Sequence, residues 1–109
     1  MAEALAGGVE AGTLVFALSD VIAIGAMTAI RDAGRSVGAD IAMCGFDDTP
    51  ASRDVTPQLT TVRVPLSDFG YQAFRATVDE EWQQTEAPLE VLVRASTPAL
   101  PAPGHVVAR

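Results

Sequence analysis

Apolar residues along this chain fall into two kinds of pattern. Leu14-Val-Phe-Ala-Leu18 and Ile41-Ala-Met-Cys-Gly-Phe46 are continuous runs that stop at polar or turn residues. Short runs of this kind read as strands buried on both faces, the sort found in parallel sheets covered by helices. Between them Val21, Ile24, Met27 and Ile30 recur at helical spacing, and Ser19-Asp20 offers an N-cap side chain and a carboxylate suited to a helix N-terminus. The spacing predicts a helix over 20–33, closed by Gly34. Thr49-Pro50 fits the start of a short helical turn over 50–54. Leu59 to Val64 reads as a third strand, stopped by Pro65, and Leu89-Glu-Val-Leu-Val93 as a fourth. Between these two strands a helix is predicted over 66–84, with Leu66, Phe69, Gly70, Ala73, Phe74, Thr77, Val78 and Trp82 on one face. Asp79, Glu80 and Glu81 then fall near its C-terminus, where the helix dipole disfavours negative charge. Residues 2–6 read as the last turn of a helix ended by Gly7-Gly8. A domain rarely begins at the end of a helix, so the chain is expected to start inside a larger fold. The order strand, helix, strand, strand, helix, strand gives an α/β fold with right-handed crossovers.

Composition narrows the function. With 109 residues, 49% hydrophobic and 19% charged, the chain fits one globular domain over 1–98, followed by a flexible Pro-rich tail over 99–109. A net charge of −7 repels phosphates, which makes the chain by itself a poor nucleic-acid binder. No apolar run approaches the roughly 18 residues of a membrane span, and the acidic N-terminus is no secretory signal. The single cysteine, Cys44, lies within a core strand and suits a reducing cytoplasm. No metal cluster or cofactor motif stands out. The only histidine, His105, sits in the Pro-rich tail, so Ser/His and Cys/His catalysis lack a base.

The candidate chemistry lies where the strands end. In an open parallel sheet, ligands bind in the crevice beyond the carboxyl ends of the strands. Asp47 and Asp48 follow the second strand directly and read as a turn, a ligand-binding pair or, least of all, a general acid/base pair. Ser19 follows the first strand and either caps the helix or faces the same crevice. Gly7 to Gly12 is glycine-rich but lacks the lysine of a phosphate loop. The predicted helix over 20–33 is apolar over more than one face, so part of its stripe fits a subunit interface.

Four segments resemble one family in order and spacing. Phe16 to Gly34, Val37 to Pro50 with its Gly-Phe-Asp-Asp, Pro57-Gln-Leu-Thr-Thr-Val-Arg63 and Leu92-Val-Arg-Ala-Ser-Thr97 are together similar to the LacI/GalR transcriptional regulators. The resemblance covers residues 2–98 and implies the C-terminal part of the effector-binding domain, a parallel-sheet lobe of the type I periplasmic-binding-protein-like fold, here incomplete. It implies no catalysis. The expected partners are a small-molecule effector of the sugar class, a second copy of the chain in a homodimer, and operator DNA only through an N-terminal domain absent here. Asp47 is expected to hydrogen-bond a sugar hydroxyl, with Ser19, Val64 and Leu66 also at the pocket. Ser19 stands where the family usually has Asn, and Val64 where it often has Gln, which leaves room for a less polar effector. Dimer contacts are expected at Val21, Ile22, Ile24, Gly25, Pro50, Ser52 and Val55. The helix over 66–84 would pack on the other lobe. The alternatives are a fragment of a periplasmic sugar-binding protein of a transporter and a truncated reading frame.

Overall fold

The structure is a computed structural model, which describes residues 7–98. Its elements are β1 (Thr13–Phe16), α1 (Asp20–Asp32), β2 (Ile41–Cys44), α2 (Ala51–Asp54), β3 (Thr61–Arg63), α3 (Leu66–Val78) and β4 (Glu90–Leu92). The helix end expected at 2–6 and the tail 99–109 lie outside the described residues.

β1 and β2 pair in parallel, from Thr13 opposite Ile41 to Phe16 opposite Cys44, with α1 as the crossover. Ser19 caps α1, its hydroxyl accepting from the Ile22 N–H at 3.3 Å. The helix closes where the Gly34 N–H reaches the Arg31 carbonyl at 2.8 Å, with Gly34 at φ +74°. The face of α1 that packs on the sheet carries Ala23, Met27 and Ile30, which join Ala17, Ile41, Met43 and Leu59 in one core. Val21 belongs to the expected helical stripe but is 73% exposed, because the residues facing the sheet begin at Asp20 and Ala23.

Two strand expectations are corrected. β1 alternates between partly buried and exposed positions, and Leu14, Phe16 and Leu18 are exposed because only one of its faces is covered by the described residues. β3 and β4 pair antiparallel, with Thr61 opposite Leu92 and Arg63 opposite Glu90. The chain leaves along β3, passes through α3 and returns along β4, so these neighbours run in opposite directions. The exit of β2 continues beside β3 in parallel, through the Gly45 N–H to Thr60 O and Asp47 N–H to Val62 O bonds, both 2.9 Å. The closing segment is fixed by Ser96, whose hydroxyl donates to the Met43 carbonyl at 2.6 Å and accepts from the Thr60 N–H at 2.8 Å.

The predicted helix over 66–84 stops at Val78. Asp79 takes extended backbone at the C-cap, its carboxylate pairs with Arg75, and it accepts from the Glu81 N–H at 3.0 Å. Glu80 and Glu81 therefore lie beyond the helix, where the dipole penalty does not apply. Trp82 also lies outside α3, and its indole N–H turns back to Gln72 Oε1 at 3.2 Å. No residue of α3 is buried.

Candidate functional site

The ends of β1 and β2 and the start of β3 converge on three acids with different roles. Asp20 is fully buried at the first turn of α1. Its Oδ2 accepts from the Thr49 N–H at 2.7 Å and the Thr49 hydroxyl at 3.1 Å, and its Oδ1 from the Thr61 hydroxyl at 2.6 Å. Its own N–H donates to the Phe46 carbonyl at 2.9 Å, which stitches the loop after β1 to the loop after β2. Asp20 is thus the element that holds the two loops together. Gly45 makes this approach possible: a Cβ there would lie 2.5 Å from Asp20 Oδ1.

Asp48 carries a side chain only 3% exposed, surrounded by cations. Its Oδ1 accepts from Arg94 Nη2 at 2.7 Å and the Ser52 hydroxyl at 3.3 Å, and its Oδ2 from Arg63 Nε at 2.9 Å, with Arg53 at 3.8 Å. Burial pushes the carboxyl up, but hydrogen bonds from Arg94 and Arg63 and the charges of Arg94 and Arg53 outweigh it and hold Asp48 below the ordinary carboxylate range. Arg94 is itself fixed, its Nη1 donating to the Ser52 hydroxyl at 2.9 Å and the Leu59 carbonyl at 3.0 Å.

Asp47 differs from both. It is partly buried, and its carboxylate takes part in no side-chain hydrogen bond or ion pair among the described residues. Asp47 and Asp48 both have positive φ, 110° and 55°, a region non-glycine residues enter at a cost of about 1–3 kcal/mol each. Such strain persists only where surrounding contacts over-determine it, and around this turn lie the clamp on Asp48, the Asp47 N–H bond to Val62 O and the Thr49 bonds to Asp20.

The other expected pocket residues divide. Ser19 is partly buried, one residue from the Asp20–Phe46 stitch that joins the loop after β1 to the loop carrying Asp47. Its hydroxyl caps α1, the first of the two sequence readings. Val64 is buried at the exit of β3, whereas Leu66 opens α3 and is exposed. Among the expected dimer contacts, Val21, Ile22 and Gly25 form an exposed strip on α1, and Pro50 is exposed before α2. Ile24 and Val55 are partly buried against the core. Ser52 is a correction: it is fully buried, with its hydroxyl engaged by Asp48, the Thr49 carbonyl and Arg94, so its side chain is withdrawn from any subunit surface.

Sequence reasoning missed the Arg94, Ser52, Thr61 and Asp20 network. Arg94 lies 46 residues from Asp48, and no local spacing announces that pair. Cys44 is half-buried, and burial pushes its thiol up, which fits an inert packing role. No metal-holding group of His, Cys, Asp or Glu exists among the described residues.

Comparison with known proteins gives a consistent result. The family model for the periplasmic binding protein-like domain matches residues 3–98. The chain is 41% identical over 96 residues to the HTH-type transcriptional regulator MalR of Streptomyces coelicolor, covering 82% of this chain and 28% of that protein. It is similar to the lac repressor dimer bound to operator and the anti-inducer ONPF, with a TM-score of 0.76 and 29% identity over 90% of this chain and 36% of that one. A LacI family transcriptional regulator from Enterococcus faecium with bound ribose matches with a TM-score of 0.75 and 29% identity, over 92% of this chain and 39% of that one. The chain therefore spans between a quarter and two fifths of the lengths of these proteins.

Proposed function

The chain belongs to the periplasmic binding protein-like domain family, within the LacI/GalR regulators, and from that premise we propose that it is the effector-reading and dimer-forming portion of a ligand-controlled transcriptional repressor. The observation that carries this reading is the unequal treatment of the three acids. Asp20 and Asp48 are consumed by internal hydrogen bonds, while Asp47 is held on a strained turn at the strand ends with its carboxylate unengaged. A carboxylate so placed accepts hydrogen bonds from neutral hydroxyls, and a sugar presents several. Ser19 adds a short hydroxyl in place of an amide, and the aliphatic Val64 lies at the exit of β3 where a polar residue would extend reach. The pocket chemistry thus favours a saccharide with an apolar face or a modified sugar. That the matched proteins include regulators by name favours this role over transport.

No bond is made or broken in this mechanism. An effector that contacts both lobes binds the closed arrangement more tightly than the open one, and that difference alone shifts the equilibrium. Val21, Ile22 and Gly25 on α1, with Pro50 at the start of the neighbouring α2, offer exposed positions to a second copy of the chain. A change in lobe angle at these positions would alter how two copies present their DNA-reading domains. A repressor that acts on operator DNA would act in the cytoplasm.

The test is calorimetry on the full-length gene product with a panel of neutral mono- and disaccharides, in the unaltered protein and in Asp47→Asn. Asparagine tolerates positive φ, so the turn survives, but the charge that strengthens a hydrogen bond is lost. The expected result is a saccharide whose Kd rises about tenfold in the variant, the equivalent of about 1.4 kcal/mol. A bound saccharide with the same Kd in both proteins would remove Asp47 from the pocket.

A further inference from the structure

We propose that Asp48 and Arg94 are positioning residues for effector binding: their clamp holds Asp47 in its left-handed turn, so that the closing segment after β4 sets the aim of a carboxylate it never touches. The inference rests on the reading of Asp47 as an effector contact. Three observations support it. The first is that the strain is consecutive, φ 110° at Asp47 and 55° at Asp48, so the turn relaxes unless something fixes its far side. The second is that the Asp48 carboxylate is held from several directions, next to the Thr49 N–H and hydroxyl tied to Asp20. Arg94 and Ser52 hold Oδ1, Arg63 holds Oδ2, and the Asp48 N–H points at the Thr61 hydroxyl at 3.4 Å. Asp47 itself is tied through its N–H to Val62 O, at 2.9 Å, within a parallel bridge to Arg63.

The third is where the cations come from. Arg63 ends β3, the strand that leads out to α3, and it also pairs with Glu90 of β4 at 3.2 Å. Arg94 follows β4 on the way back, and its backbone N–H donates to the Thr60 hydroxyl at 2.8 Å. Both chain passages between the sheet and α3 therefore end on Asp48. A planar guanidinium with two nitrogens engaged fixes direction as well as charge, which an ammonium does not. The Arg94 fork spans Ser52, Leu59 and Asp48, so it sets the Asp48 side chain against the core floor under the crevice.

The experiment uses the full-length protein, with D-ribose, D-galactose, D-glucose and maltose as probes. Calorimetry gives Kd, and urea denaturation gives stability, for Arg94→Lys, Arg63→Gln, Asp47→Asn and each arginine variant combined with Asp47→Asn. Arg63 is half-exposed, so its variant keeps the fold if Arg94→Lys does not. The expected result is that Arg94→Lys or Arg63→Gln weakens saccharide binding about fivefold to tenfold, and that this loss shrinks to less than about twofold when Asp47 is already Asn. A purely structural role predicts the same fold-loss in both backgrounds, and that additivity overturns the proposal. Unchanged Kd in both arginine variants, with binding still weakened by Asp47→Asn, overturns the proposal and leaves the pocket reading intact. No saccharide binding, or no effect of Asp47→Asn, defeats the pocket reading and the proposal with it.

Discussion

Gly45 shows how one missing side chain arranges the site. A Cβ there would meet Asp20 Oδ1 at 2.5 Å, Leu59 Cδ2 at 3.0 Å and Asp20 Cα at 3.1 Å. Asp20 cannot swing aside, because three hydrogen bonds fix its carboxylate and its N–H is tied to Phe46. Gly45→Ala is therefore expected to destabilise by about 1–3 kcal/mol, the range for forcing extra atoms into a packed interior. Urea denaturation of the full-length protein checks this, and a midpoint unchanged from the parent would refute the close approach. At this scale the sequence was half legible. The Gly-Phe-Asp-Asp string identifies a turn at a strand end, and the structure keeps Asp47 available there. Which acid stays available is not local information. Asp48 is taken by Arg94 and Arg63, 46 and 15 residues away, and Asp20 by Thr49 and Thr61, 29 and 41 residues away. Ser52 was assigned to a surface for the same reason: a serine beside a proline turn gives no sign that an arginine will reach it from the closing segment.

The elements themselves were legible where periodicity decides them. β1, α1, β2, the short α2 and β3 fall within a few residues of the expected ranges. The differences have physical causes. Continuous apolar runs predict burial on both faces, but β1 finds cover on one face only, so Leu18 ends 79% exposed. The end of α3 was set by a side chain rather than by the apolar stripe, since Asp79 pairs with Arg75 and turns the chain out. The antiparallel β3–β4 pair depends on where the chain goes between them, which no strand's own composition records. That pair carries a testable pH dependence, because Arg63 and Arg94 join it to the turn through the ionised Asp48. Asp48 ionises more readily in the folded chain than in the unfolded one. A carboxylate shifted this way adds stability that is complete above its unfolded value, about 3.9, and is lost as pH falls through the folded value. Stability should be flat near neutral pH and decline below about pH 4, with a shallower decline in Asp48→Asn, whose neutral side chain has nothing to titrate. Denaturant midpoints at stepped pH measure both slopes, and equal slopes would show that the clamp contributes nothing to acid sensitivity.

For the whole molecule, the governing fact is the apolar surface that the described residues leave uncovered. Leu66, Phe69, Phe74 and Val78 lie on α3, none of them buried, and Phe74 is 67% exposed. No residue of α3 is buried against the rest of the described residues. Contiguous apolar patches of this kind seldom face water in a stable monomer, because covering them yields about 25 cal/mol for each Å² removed from solvent. The match to the MalR regulator takes in 82% of this chain and 28% of that protein. A polypeptide of these 109 residues alone is accordingly expected to self-associate at micromolar concentration, with an apparent mass by multi-angle light scattering well above 11.3 kDa. Association through α3 rather than through the α1 strip distinguishes the two apolar surfaces. Phe69→Ser combined with Phe74→Ser should lower the apparent mass, whereas Val21→Ser with Ile22→Ser should leave the α3-driven species in place. A monodisperse monomer of the unaltered sequence would mean that α3 finds cover within its own chain. Equal relief from both pairs of substitutions would mean that the two faces associate as one surface.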